Sequence, residues 1–150
     1  MIDFKGLTAM PLTKPSLKLT YEGARTALDA AVAKAAEIGV PQDIAIVDDG
    51  GHLLAFARMD GAKLLSINTC QSKALSAVSH RQPSGRLNAA DEVKLAFASG
   101  GKLTNLKGGL PIIIGGVCVG AIGVGSGTGD QDVVVAHAAL AALGADDFSA

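Results

Sequence analysis

The sequence has no tryptophan, one tyrosine and four phenylalanines, so it lacks the aromatic platforms on which single-stranded nucleic acids stack. No cluster of basic residues occurs, and a formal net charge of -1 leaves no electrostatic footprint for a polyanion. Nucleic acid is therefore excluded as an expected partner. The two cysteines, Cys70 and Cys118, make no metal-ligand spacing and read as core thiols. Long apolar runs are also missing. A membrane span needs about 18–20 apolar residues, and the most hydrophobic stretch is shorter than that and broken by glycines and a proline. Met1 to Thr20 carries Asp3, Lys5, Lys14 and Lys18 with Pro11 and Pro15, unlike a secretion signal. The expected setting is cytoplasmic, with no membrane partner.

What is present is aliphatic. Ala, Val, Ile and Leu dominate, and 150 residues suffice for one domain with a core of its own. The boundaries expected are an extended arm over 1–19 and a single domain over 20–150. The most legible stretch runs from Gly108 to Asp130. Two short Ile- and Val-rich runs flank Gly115-Gly116, which suits two strands joined by a tight turn with positive φ. Gly123, Gly125, Gly127 and Gly129 read as a loop leaving the second strand, with Asp130 capping a last helix through Val133, Ala136, Leu140 and Leu143. These glycines do not fit the spacing of a dinucleotide fingerprint.

Upstream, Thr20 is the expected N-cap of a first helix, whose stripe Tyr21, Ala24, Leu28, Val32, Ala35 and Ile38 ends at Gly39 and Pro41. Ile44–Val47 and His52–Met59 read as a hairpin across Asp48-Asp-Gly-Gly51. Ser66 is the expected cap of a second helix carrying Ile67, Cys70, Ala74, Ala77 and Val78 inward, and a short helix spans Asn88–Ala98. Two hairpins interleaved with helices predict an α+β domain with an antiparallel sheet.

Three segments resemble a known family. They are Val47-Asp-Asp-Gly-Gly-His-Leu-Leu-Ala-Phe-Ala-Arg-Met-Asp-Gly61, the Lys73-Ala74 step, and Gly108-Gly-Leu-Pro111 with Val119-Gly-Ala-Ile-Gly-Val124. In this order they are similar to the GlcG/HbpS-like family, also known as DUF336 or haem-binding-domain-like, which includes the C-terminal domain of PduO-type proteins. The resemblance implies a profilin-like fold with a five-stranded antiparallel sheet and helices on its faces, frequent homo-oligomers, and haem or another tetrapyrrole as ligand in some members. Other members stand near the metabolism of small organic acids.

Few residues offer chemistry. Arg58 lies on a strand face with Leu54 and Phe56, where its planar fork could clamp a carboxylate over an apolar floor; Phe56 and Asp60 are ligand-binding candidates with it, and the alternative is an ordinary strand arginine paired with Asp60. Lys73, if buried on its helix, is a candidate base or electrostatic stabiliser. His80, at the end of the same helix, is a candidate general base or axial haem ligand. Ser126, between Gly125 and Gly127, is a more remote ligand-binding or nucleophile candidate. His52 reads as a surface residue beside a turn and His137 as a half-buried structural one. The expected function is binding of a tetrapyrrole or a small carboxylate. The alternative is a cofactor-free hydrolase or isomerase acting on a small organic acid, with His80 or Lys73 moving protons.

Overall fold

The computed structural model describes residues 12–149, and most of the expected arm therefore lies outside the described residues. The elements are α1 (Tyr21–Glu37), β1 (Asp43–Asp48), β2 (Leu53–Arg58), α2 (Ser66–His80), α3 (Glu92–Ala98), β3 (Gly109–Ile114), β4 (Val117–Gly125) and α4 (Gly129–Leu143). The α+β class is as expected. Among the described residues the sheet has four strands in the order β2-β1-β4-β3, with each neighbouring pair antiparallel. This corrects the five strands implied by resemblance. Among the described residues before α1, one backbone bond reaches the sheet, Leu19 N–H to the Val119 carbonyl at 3.0 Å. Pro15 has no N–H to extend such a ladder.

The two faces of the sheet are built differently. On one, Ile44, Ile46, Leu110, Ile112, Ile122 and Val124 are buried against the alanine stripe Ala24, Ala27, Ala31 and Ala35 of α1 and against Val135, Ala136, Ala139 and Leu140 of α4. Large strand side chains meet small helix side chains, and this is the main core. On the other face α2 lies over a much smaller cluster of Val47, Ala74, Ala77 and Ala121. Here the spacing is set by backbone. A Cβ placed on Gly123 would stand 1.8 Å from the Cys70 carbonyl oxygen, and one on Gly109 would stand 2.1 Å from that of Lys73.

Gly123 and Gly125 are therefore strand residues under α2, not part of an exit loop, and β4 runs on to Gly125. The helix that follows is capped by Thr128 rather than Asp130. Its hydroxyl accepts from Gln131 N–H at 3.3 Å, and the Gln131 side chain returns a bond to the Thr128 N–H at 2.9 Å. This is a capping box. Thr20 caps α1 as expected, accepting from Gly23 N–H at 3.0 Å. Ser66 is the first residue of α2 and caps nothing; Leu65 precedes it without a side-chain bond. The short helix begins at Glu92, four residues later than Asn88. The Gly115-Gly116 turn has φ of 58° and 79°, as the hairpin requires.

Strand β2 departs from simple alternation. The register shifts between Ile46 and Val47, so that Ala45 faces Phe56 and Val47 faces Leu53. Leu54 is the extra residue of this bulge and packs on the main core with Ala55 and Met59, which breaks the expected Leu54–Phe56–Arg58 floor.

Replacing Gly123 by Ala should destabilise the protein by about 3 kcal/mol, because the added carbon forces α2 off the sheet. Gly116→Ala has open space around it and should cost only about 1 kcal/mol through its φ. Chemical denaturation of both variants checks the ranking; equal losses would contradict it.

Candidate functional site

Helix α2 carries both reactive candidates but sends them to different places. Its buried stripe is Ser66, Cys70, Lys73, Ala74, Ser76 and Ala77, so a lysine occupies a core position. Lys73 is 5 % exposed. Its ammonium donates to the Val124 carbonyl at 2.9 Å and to Asp132 Oδ2 at 2.8 Å. Asp132, 1 % exposed, takes a further bond on Oδ1 from Gly127 N–H at 3.0 Å. A buried charge without these partners would be strongly unfavourable. The pair ties α2 on one face of the sheet to α4 on the other, around the end of β4. Glycine at 108 leaves the passage open, since a Cβ there would stand 2.6 Å from the Val124 oxygen and 3.1 Å from Lys73 Nζ.

Asp132 is absent from the sequence-derived candidates, although its signal is present. Asp132, Val135, Ala136, Ala139 and Leu140 are the buried residues of α4, and their spacing of three and four puts a carboxylate at the head of a buried stripe.

Lys73 and Ser126 line one cavity of about 220 Å³, at whose rim the Ser126 hydroxyl accepts from Lys63 N–H at 2.9 Å. Ser126 has a φ of 95°, a strained backbone for a residue with a side chain. His80 lines a second cavity, also of about 220 Å³, with Pro83, Arg86, Leu87 and Thr104 on its walls. The His80 Nδ1 lies 3.3 Å from the Ser76 carbonyl oxygen one helical turn back. In the tautomer that donates this bond, Nε2 keeps its lone pair. Arg81 ends α2 in the left-handed conformation, with φ of 54°.

Arg58 is exposed at the end of edge strand β2, and neither of these two cavities includes Arg58, Phe56 or Asp60. The structure thus brings Lys73 and Ser126 together and leaves His80 and Arg58 apart from them. Arg58 faces Asp43 across the β1–β2 ladder. Asp43 is fully buried and, among the described residues, neither of its carboxylate oxygens has a partner. Burial raises its pKa above the ordinary value, opposed by the Arg58 charge. A raised acid pKa detracts from stability once pH climbs past the unfolded value.

At the β1–β2 turn, burial of Asp48 is outweighed by bonds from His52 and Gly50 N–H groups and by Lys18, and its pKa falls. His52 is an exposed turn residue whose ring nitrogen lies 3.2 Å from Asp48. His137 is partly buried, 3.3 Å from Asp147. Burial pushes the Cys70 thiol up to about 12, so it is inert in place. Among the described residues no group of three or more metal-ligating side chains forms, and no helix is long and apolar enough to cross a membrane.

A small antiparallel sheet with one helix laid on glycines and two helices on an aliphatic core defines a compact α+β module with small, partly polar cavities beside α2. Residues 19–141 match the family described as haem degrading protein, HbpS-like, and the chain belongs to that family. The 15.0 kDa protein of the dhaT–dhaS intergenic region of Citrobacter freundii is 38% identical over 128 residues, covering 81% of this chain and 89% of that one. Among solved structures, protein ORFY of Klebsiella pneumoniae superposes with a TM-score of 0.85 at 30% identity, covering 93% of this chain and 100% of that chain. A structure described as a PduOC:heme complex superposes at 0.80 with 28% identity, covering 87% and 98%.

Lys73→Met should lower stability by about 3–5 kcal/mol by leaving Asp132 buried and unpaired. Adding Asp132→Leu should recover much of that loss. Urea unfolding of the single and double variants checks the coupling; additive losses would show that the pair does not act as a unit.

Proposed function

We propose that this protein binds a tetrapyrrole, haem in particular, at the cavity beside the C-terminal end of α2, with His80 as the protein ligand to iron. The observation that carries the reading is the His80 Nδ1 contact with the Ser76 carbonyl, which in the donating tautomer holds the ring and leaves the Nε2 lone pair free, as metal-binding imidazoles require. Pro83 and Leu87 supply apolar wall, and Arg86 supplies a cation suited to a propionate. The donor set therefore fits the group. The haem-complex relative and the family's description support the same ligand class. At about 220 Å³ the cavity is below the roughly 300–1,000 Å³ of sites that engulf a ligand. A cavity of this size would hold part of the macrocycle only. When bound, haem would supply an iron centre; His80 would hold the iron and Arg86 would bind a propionate.

Titrating the purified chain with haemin should give a saturable Soret band that His80→Ala shifts and weakens by about tenfold or more, whereas Arg86→Gln weakens binding less. An unchanged band and affinity in His80→Ala would overturn the assignment of His80.

The reading includes assembly into homo-oligomers. Helix α3 buries none of its residues and exposes Val93 at 74 % and Phe97 at 89 %, an apolar face suited to a second copy. Light scattering should report a mass above the monomer at micromolar concentration. Phe97→Glu should lower it, and a monomer in the parent chain would contradict the assembly.

A further inference from the structure

The cavity around Lys73 has no part in tetrapyrrole binding at His80. Its walls carry more donors than the protein supplies acceptors for. Lys63, Lys73 and Lys107 bring three cationic side chains to it, and Asp132 brings one carboxylate. The carboxylate is already engaged on both oxygens, by Lys73 and by Gly127 N–H. Lys107 pairs at 3.1 Å with Asp130 at the exposed edge. Lys73 has three N–H groups, and the Val124 carbonyl and Asp132 take two of them. The third has no acceptor among the described residues, on a side chain more than nine-tenths buried. Ser66 and Thr69 also line this space. Neither hydroxyl is bonded to another described residue, and Lys63 makes no ion pair among them. The buried Lys73 ammonium with a donor to spare, and two hydroxyls free to turn toward the cavity, can hold an anion by charge-assisted and neutral bonds.

We propose that this cavity is a binding site for a small carboxylate. Its oxygens accept from the third Lys73 N–H and from the Ser66 and Thr69 hydroxyls, while Lys63 supplies the balancing charge at the mouth. A volume of about 220 Å³, at roughly 30 Å³ per water-sized unit, accommodates about six to eight heavy atoms. That is the size of a two- to four-carbon acid. The Asp132 carboxylate in the same wall disfavours a second negative charge on the ligand, which points to a monocarboxylate rather than a dianion such as phosphate.

The experiment is calorimetric titration of the full chain with lactate and with butyrate, both singly charged, and with inorganic phosphate as the competing class. Amide spectra follow Gly127 and Gly129. The expected result is saturable binding of at least one of the two acids with shifts at those amides, weakened about tenfold by Lys63→Gln and also weakened by Thr69→Val. Both substitutions spare the Lys73–Asp132 pair, so the folded protein remains available for the measurement. Saturation by phosphate alone, no saturation by either acid, or binding that both variants leave unchanged would overturn the proposal.

Discussion

The close seating of α2 on the backbone of β3 and β4 is the constraint on which the rest depends. Gly123 and Gly109 leave no room for a side chain beneath the helix, because the Cys70 and Lys73 carbonyls already occupy it. Dispersion and hydrophobic burial on this face are modest, as the cluster of Val47, Ala74, Ala77 and Ala121 is small. Close approach compensates by bringing the Lys73 side chain within reach of the end of β4 and of α4 beyond it. The ion pair with Asp132 then ties the two helical layers together. Neither device works without the other: a wider gap strands the lysine, and a missing lysine leaves a buried carboxylate.

The same seating separates the two candidate residues of α2. Lys73 points from α2 toward the cavity at the end of β4, and His80, two turns further on, stands beside a different cavity. A buried lysine held by two acceptors is a structural centre first and a ligand donor second. The histidine is free of such ties except for its bond to Ser76. On the proposed reading the chain is a binding module with two separate pockets, one for a metal-bearing macrocycle and the other for a small acid.

Much of the fold was legible because it rests on local chemistry. Thr20 before an apolar stripe, Gly39 after it, and Gly115-Gly116 between β-branched runs each signal their own structure. The strand count was not legible, since it depends on whether the chain before α1 pairs over a length, and only Leu19 does so among the described residues. Gly123 and Gly125 read as a loop in the sequence because a glycine needed for close approach looks the same there as one needed for a turn. The site was legible in part. Lys73 stood out, but its partner Asp132 lies 59 residues away, and only the buried stripe of α4 marks it. Arg58 and Leu54 were placed on one face by simple alternation, which the bulge at Ile46/Val47 interrupts.

Native-state hydrogen exchange tests the dependence on α2 most directly. If the helix is locked to the glycine face of the sheet, amides from Cys70 to Ala77 and from Gly120 to Val124 exchange only through global unfolding, with one common free energy. Amides of α3, which buries none of its residues, exchange faster through local opening. Exchange of the α2 amides at the rate of α3, while β4 stays protected, would show that the helix opens independently and would contradict the account.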